Sequence, residues 1–421
     1  MANDPSLSAP RGTRDLLPPE SWAWQRVIRV GMDMFAAAGY APVDTPAFEH
    51  TEVFERGVGE TTEVVGKQMY TFIDRGDRSL TLRPEGTAPV MRAVLEHSLH
   101  RAALPVKLAY FGPMFRQERP QKGRYRQFWQ IGIEAIGSES PLADAEVIEL
   151  AMRFYRAIGL EVKLQLNTIG HAADDCRLRY SEMLAAYLRE HQAELAGIDR
   201  ERIGTNPLRT FDSKETPTVE VMAGAPLISD HVCDECRSHH AEVIAGLDAL
   251  GVEFEAAPRL VRGLDYYMRT AFEFVAGGLG SQNAAGGGGR YDGLAELLGG
   301  PNVPGIGFAL GLDRIMLSLA EQETDPEEGF VTAFVTTLGE EQGTAALEIA
   351  TRLRRAGISA DLDLMGRGMK GQMKAAARSG ARYTVILGAD EAGPGHFLVK
   401  DMTTGEQTTV DDQELERRLT R

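Results

Sequence analysis

VKLAYFGPMFRQERPQKGRYRQFWQIGIEAI, residues 106–136, reads as strand, basic loop, strand. Val106, Leu108 and Tyr110 alternate with other residue types, the period of a half-buried strand. Past the loop the alternation resumes and sorts residues by face. Trp129, Ile131, Ile133 and Ala135 form an apolar face that belongs against a core. Phe128, Gln130, Gly132 and Glu134 form the other: a flat aromatic, two polar side chains and a gap. Such a face suits the floor of a site for a small polar molecule beside a planar ring. The loop from Arg116 to Arg126 carries Arg116, Arg119, Lys122, Arg124 and Arg126, opposed only by Glu118. Guanidinium forks match phosphate oxygens, so a nucleotide-phosphate site is a better reading than a solvated hairpin tip.

The hairpin resembles motif 2 of the class II aminoacyl-tRNA synthetases, FRxE followed by a variable loop. MFRQERPQKGRYRQF is similar in detail to the histidyl-tRNA synthetase version. That resemblance implies an antiparallel sheet with flanking helices, an inserted helical domain and a C-terminal α/β anticodon-binding domain. It also implies ATP, with Mg²⁺, and histidine as substrates, tRNA(His) as partner, and a homodimer.

Composition sets independent bounds. The 421 residues suffice for about three domains. Apolar residues make up 43% and charged residues 25%, ordinary for a globular protein. No apolar run is long enough for a membrane span, and MANDPSLSAP is not a secretory signal but reads as a disordered tail. Three cysteines argue for a reducing, cytoplasmic compartment rather than a disulfide framework. The net charge of −16 opposes nucleic-acid binding by the chain as a whole, so any RNA surface must be a local patch.

A helix is expected over about 18–38, stopped by Gly39, then an extended segment with Pro42 and Pro46. Helix, strand and proline resemble motif 1, which places Pro46 at the family's dimer interface. MYTFID and SLTLR pair across the turn RGDR, and Thr87 stands as N-cap of a helix with Pro89 in its first turn. Glu85 and Thr87 are acceptors suited to an ammonium group. By resemblance of TLRPEGTA to the histidyl enzymes, they hold the amino acid's α-amino group. A helix at 141–158 and a strand at 161–167 follow, and NTIG at 167–170 resembles the family's (L/I)NxxG segment. The helical, charged stretch 171–250 reads as an insertion, in which Arg209 and Asp212-Ser213-Lys214 resemble an (L/I)RxxDxK signature.

Cys233 and Cys236, with His239 and His240, invite a zinc reading. No second C-x-x-C exists, Cys176 is distant in sequence, and one helical turn rarely completes a tetrahedron. No metal ligand set is therefore expected.

In PRLVRGLDYYMRTAFEFV, 258–275, the last seven residues alternate as a strand. RGLDYYxxTxFE resembles the signature peculiar to histidyl-tRNA synthetases. The resemblance puts Arg262 on the substrate carboxylate and α-phosphate, Tyr267 at the imidazole and Tyr266 along the pocket. Neutralising charge between two reacting anions is work a fixed guanidinium can do. GGGGRYD, 286–292, permits close backbone approach and resembles a second histidine-specific signature, with Tyr291 closing the pocket. PGIGFALGLDRIMLS, 304–318, reads as a glycine-rich strand entering a helix, fits no dinucleotide fingerprint, and resembles motif 3. By that resemblance Arg314 stacks on adenine opposite Phe128, and Arg314 and Arg124 hold the distal phosphates. Arg116 joins Arg262 at the α-phosphate, beside Glu118; Gln130 grips the amino acid's polar end, and Glu134 with Tyr267 its ring.

EQETDPEEG, 321–329, reads as a linker. The expected domains are a catalytic core at 1–170 and 251–325, the insertion at 171–250, and an anticodon-binding domain at 330–421. The last is expected as a mixed five-stranded sheet with helices. Between 352 and 382 it carries eight basic residues against two acidic, and Lys370, Lys374 and Arg378 share one helix face, a candidate tRNA surface. The rival reading is a histidyl-synthetase-like regulatory subunit of ATP phosphoribosyltransferase. Such subunits typically lack the anticodon-binding domain and RGLDYY. A pseudo-synthetase that only binds RNA is disfavoured by the joint presence of Arg116, Arg262 and Arg314.

Overall fold

The computed structural model describes residues 7–59, 62–171, 176–277, 284–322, 331–339, 342–388 and 395–420. Most of the expected linker and of the N-terminal tail lies outside them. The chain divides into two units, Met1–Thr324 and Asp325–Arg421.

In the first unit, eight strands form one sheet: β1 (Ala41–Pro42), β5 (Val106–Phe115), β6 (Gln127–Ile136), β7 (Val162–Thr168), β8 (Glu255–Ala256), β9 (Met268–Ala276), β10 (Ala284–Arg290) and β11 (Gly305–Gly311). Their order is β1-β5-β6-β11-β10-β9-β7-β8, antiparallel except where β1 and β8 join the edges. The glycine run, open to a linker reading, is thus the central strand β10. β3 (Tyr70–Ile73) pairs with β4 (Ser79–Leu82) as the sequence suggested, and β2 (Phe48–His50) adds to the other edge of β4 to make a small sheet.

The apolar face of β6 does what its alternation demands. Ile131, Ile133 and Ala135 are fully buried in a core with helices α1 (Glu20–Ala37), α4 (Pro141–Ala157) and α10 (Leu312–Glu321). Phe35 meets the rings of Phe154 and Phe308 there. Each such side chain removed from water contributes about 1.5–3 kcal/mol. Trp129 stacks on Phe111 at 5.0 Å and packs against the rim of this core. A second cluster on the opposite side gathers α2 (Thr51–Val58), α3 (Thr87–Glu96) and the short α9 (Leu294–Leu297). It also takes in α5 (Arg177–Glu190), α7 (Thr216–Met222) and the segment after α6 (Gly197–Arg202). The last helix of this region, α8 (Asp234–Ala249), puts Val243 and Leu247 into the first core instead. Its Gly246 comes so near α4 that a Cβ would lie 2.8 Å from that of Ala145.

The second unit is a five-stranded sheet, β13 (Ala360–Leu362), β12 (Ala333–Thr337), β14 (Tyr383–Leu387), β15 (His396–Asp401), β16 (Gln407–Asp411), in that order. The first three strands are parallel and the last two antiparallel, a mixed sheet as expected. Helices α11 (Gly343–Arg355), α12 (Met369–Arg378) and α13 (Leu415–Leu419) accompany it. Among the described residues no helix is long and apolar enough to cross a membrane.

Candidate active site

The floor of the site is the polar face of the large sheet, and its register explains the glycines. Glu134 lies opposite Gly307, Gly307 opposite Gly289, and Gly289 opposite Ala271. One step along, Gly132, Ala309, Gly287 and Glu273 form the next row. Only Glu134 and Glu273 project beyond a methyl from these two rows. The clearing is tight: a Cβ at Gly307 would stand 1.9 Å from Glu134 Oε2, and one at Gly287 2.6 Å from Arg262 Nη1.

Above this floor lies a cavity of about 350 Å³, lined among others by Glu85, Thr87, Gln130, Arg262, Tyr266 and Tyr267. It opens into a groove of about 1020 Å³ walled by Arg116, Glu118, Arg124, Phe128, Glu273 and Arg314. Arg116, Arg262 and Gln130 belong to both. Gln130 Oε1 is buried without a hydrogen-bond partner. A buried acceptor left unpaired costs about 1–3 kcal/mol, which a ligand donor would recover.

α3 begins one residue earlier than expected. Gly86 is the N-cap, and Thr87 is the first helical residue. The capping falls to Glu85, whose two oxygens accept the Thr87 N–H at 2.7 Å and the Ala88 N–H at 2.9 Å. A carboxylate there also meets the positive end of the helix. Tyr266 Oη donates to the same group at 3.3 Å. Burial nevertheless raises the Glu85 carboxyl above its ordinary range.

Released from capping, the Thr87 hydroxyl donates to Glu134 Oε1 at 2.7 Å. Tyr291 donates to the other Glu134 oxygen, and Tyr110 Oη lies 3.4 Å from Oε1. Glu134 and Tyr291 therefore stand behind Thr87, fully buried, rather than on the cavity wall. Burial pushes the Glu134 carboxyl up to about 8, against the lowering effect of the Tyr291 and Thr87 hydrogen bonds. The folded chain thus keeps a proton that the unfolded chain releases in the ordinary carboxyl range. The stability this contributes is complete at acid pH and lost as pH rises through about 8. We expect the urea midpoint of the wild type to fall across that window relative to Glu134→Gln.

Arg262 donates to Glu273 Oε2 at 2.8 Å, and its guanidinium lies 5.6 Å from the Tyr267 ring centre. Burial disfavours its charge, but Tyr267, Glu273 and Tyr266 raise its pKa on balance. Arg116 is held by the Pro84 carbonyl at 2.9 Å and lies over Phe128 at 5.3 Å. Glu118 sits between Arg116 and Arg124, 3.1 Å from the latter. Arg314 Nη1 donates to Ala284 O at 2.7 Å, so motif 3 is fastened to β10. Arg209 and Asp212 also reach the cavity, where Arg209 pairs with Asp265 at 2.9 Å.

Three residues have roles that escaped the sequence reading. Tyr110 alternates correctly in β5, but only the register opposite Gly132 reveals its approach to Glu134. Glu273 stands in the alternating TAFEF run, yet its role as the Arg262 partner needs the fold. Arg290, inside the GRYD motif, is not a pocket residue. Fully buried, it pairs with Asp144 of α4 and donates to the carbonyls of Ser138 at 2.8 Å and Ser140 at 3.2 Å. Nor do His239 and His240 join Cys233. His239 lies 3.9 Å from Asp144, and burial drives its pKa down to about 3.

Similarity to known proteins extends over nearly the whole chain. A family model described as histidyl-tRNA synthetase matches residues 12–315, and one described as anticodon binding domain matches 332–421. The chain is 50% identical over 419 residues to the histidine–tRNA ligase of Desulforudis audaxviator, covering 99% of each. It is 51% identical over 405 residues to that of Moorella thermoacetica, covering 96% of this chain and 95% of the relative. The crystal structure of apo histidyl-tRNA synthetase from S. aureus superposes with a TM-score of 0.80 at 38% identity, covering 99% of this chain and 100% of that one. A matching family model over most of the chain, with relatives about half identical over nearly all of it, shows that the chain belongs to the histidyl-tRNA synthetase family.

Proposed function

We propose that this enzyme ligates L-histidine to tRNA(His) in two steps. The histidine carboxylate attacks the α-phosphorus of ATP, forming histidyl-adenylate and releasing pyrophosphate. The terminal ribose hydroxyl of the tRNA then attacks the adenylate carbonyl, and AMP leaves. The observation that carries this reading is the passage from the polar cavity to the arginine-walled groove at Arg116 and Arg262. Both reactants of the first step are anionic where they meet, and two guanidiniums stand at that junction. Arg124 and Arg314 hold the distal phosphates, and Arg314 with Phe128 brackets the adenine. Mg²⁺ arrives with the nucleotide as its counter-ion. The groove carboxylates Glu118 and Glu273 are engaged by arginines and form no cage of their own.

Glu85, Thr87 and Gln130 take the amino acid's polar end. Glu134, acting with Tyr267 and Tyr291, reads the imidazole from behind Thr87. A buried hydrogen-bonding set of this kind rejects ligands lacking the ring nitrogens by about 10⁴-fold. The test is histidine-dependent ATP–pyrophosphate exchange, with the other amino acids as controls, followed by charging of tRNA(His). Exchange with histidine alone is the expected result. A folded protein without exchange would return the regulatory-subunit reading. A structural relative titled as an ATP phosphoribosyltransferase regulatory subunit/histidyl-tRNA synthetase shares the fold at TM-score 0.63 and 24% identity. The C-terminal unit and Arg262 favour the ligase.

tRNA contact is assigned in part to α12, where Lys370, Lys374 and Arg378 are exposed while Gln372 and Ala376 are buried on the opposite side. Lys370→Glu with Lys374→Glu should raise the KM for tRNA at least about tenfold, more steeply at low salt, and leave ATP–pyrophosphate exchange unchanged. A homodimer is assigned to the face bearing Pro46 and the small sheet. Phe48, Phe72 and Ile73 are 50%, 44% and 62% exposed there, an apolar surface in need of cover. The three cysteines are all free, consistent with a cytoplasmic location.

A further inference from the structure

The expectation of no metal rested in part on the distance in sequence between Cys176 and the C-x-x-C pair. The fold removes that distance. Cys176 is the N-cap of α5 and Cys233 the N-cap of α8, and the Cys233 N–H donates to Cys176 Sγ at 2.9 Å. Cys236, in the first turn of α8, donates its N–H to Cys233 Sγ at 3.5 Å. His171, just past the end of β7, brings Nδ1 to 3.0 Å from Cys236 Sγ and 3.8 Å from Cys233 Sγ. The four ligand atoms all lie within 4.8 Å of one another.

We propose that His171, Cys176, Cys233 and Cys236 form a structural zinc site that ties both ends of the helical insertion to the catalytic sheet. Tetrahedral zinc has bonds of about 2.3 Å to sulfur and about 2.0 Å to nitrogen, which sets its ligand atoms roughly 3.5–3.8 Å apart. The cluster reaches that geometry when its widest separation closes by about 1 Å and the His171–Cys236 contact opens by about 0.5 Å. Three thiolates and one imidazole are a donor set that selects a soft, tetrahedral ion over magnesium or calcium. Backbone N–H groups of Cys233 and Cys236 donate to the Cys176 and Cys233 sulfurs and hold them in place before any ion binds. A disulfide is the competing fate, but it would employ two sulfurs and leave the third, with the imidazole, unexplained.

The location gives the site a consequence. Arg177 follows Cys176 directly and donates to the backbone carbonyls of Asp265 at 3.2 Å and Tyr267 at 2.8 Å. The ion thereby fixes the end of the helix that grips the RGLDYY loop. Binding to the native fold alone makes the ion part of folding stability.

The test uses full-length protein without a polyhistidine tag, kept reduced, with metal content measured by elemental analysis. About one zinc per chain is expected, falling at least tenfold in Cys233→Ser/Cys236→Ser. Because that variant could fail to fold, Co²⁺ is added in parallel to metal-stripped wild type. It should give d–d bands of a tetrahedral ion together with thiolate-to-metal charge transfer. Reduced wild type that takes up neither zinc nor cobalt overturns the proposal. So does a folded double variant that keeps its zinc.

Discussion

Arg262→His is expected to lower histidine-dependent ATP–pyrophosphate exchange by about 10²–10³-fold, the loss typical of removing one preorganised donor from a developing charge. The guanidinium is pinned from two sides. Glu273 holds Nη1 at 2.8 Å, and β10 passes so close that only glycine fits at 287. Its Nε is buried with no partner, a donor already desolvated. An imidazole is shorter, is neutral at ordinary pH, and cannot donate to Glu273 and an α-phosphate together. The loss should fall on kcat with little change in the KM for ATP, because the distal phosphates belong to Arg124 and Arg314. The fold should survive: Glu273 stands on the groove wall, a quarter exposed, and can take water as its partner. Near-normal exchange in a folded variant would sink the assigned role.

The motif-bearing strands were legible because their periodicity and their chemistry coincide. β6 declares both faces by alternation, and each proves to lie where its residue types require, with Ile131 and Ile133 in the core and Gln130 on the cavity. The glycine run was ambiguous in isolation. A chain without side chains carries no alternation, and only its neighbours β9 and β11 show it to be a strand. Long-range pairings were invisible for a different reason. Arg290 and Asp144 are separated by 146 positions, and Cys176 and Cys233 by 57; no local pattern encodes which partner a buried charge or thiol will find. The Thr87 hydroxyl shows how a sound local rule yields to context. Threonine caps helices well, but here the helix starts at Thr87 itself, Glu85 accepts the Thr87 and Ala88 N–H groups of its first turn, and the Thr87 hydroxyl goes to Glu134.

Arg290→Met should destabilise the first unit by about 3–5 kcal/mol, the cost of removing one partner from a buried ion pair. Arg290 and Asp144 are both wholly inaccessible to water. Arg290 spends its donors on Asp144, on Asp292 at 3.0 Å and on two carbonyls of the turn preceding α4. Cutting it leaves the Asp144 carboxylate with no cation. His239, 3.9 Å away, cannot substitute, since the burial that chiefly holds it neutral persists when Arg290 is gone. Arg290→Met/Asp144→Leu removes the stranded charge along with its partner. It should therefore be more stable than Arg290→Met alone, although the single change alters fewer atoms. Urea midpoints of the two variants decide the matter. If Arg290 instead acted on substrate, Arg290→Met would keep the wild-type midpoint and lose histidine affinity, and adding Asp144→Leu would restore nothing. Equal or lower stability of the double variant would show that the turn carbonyls, rather than the ion pair, are what Arg290 holds in place.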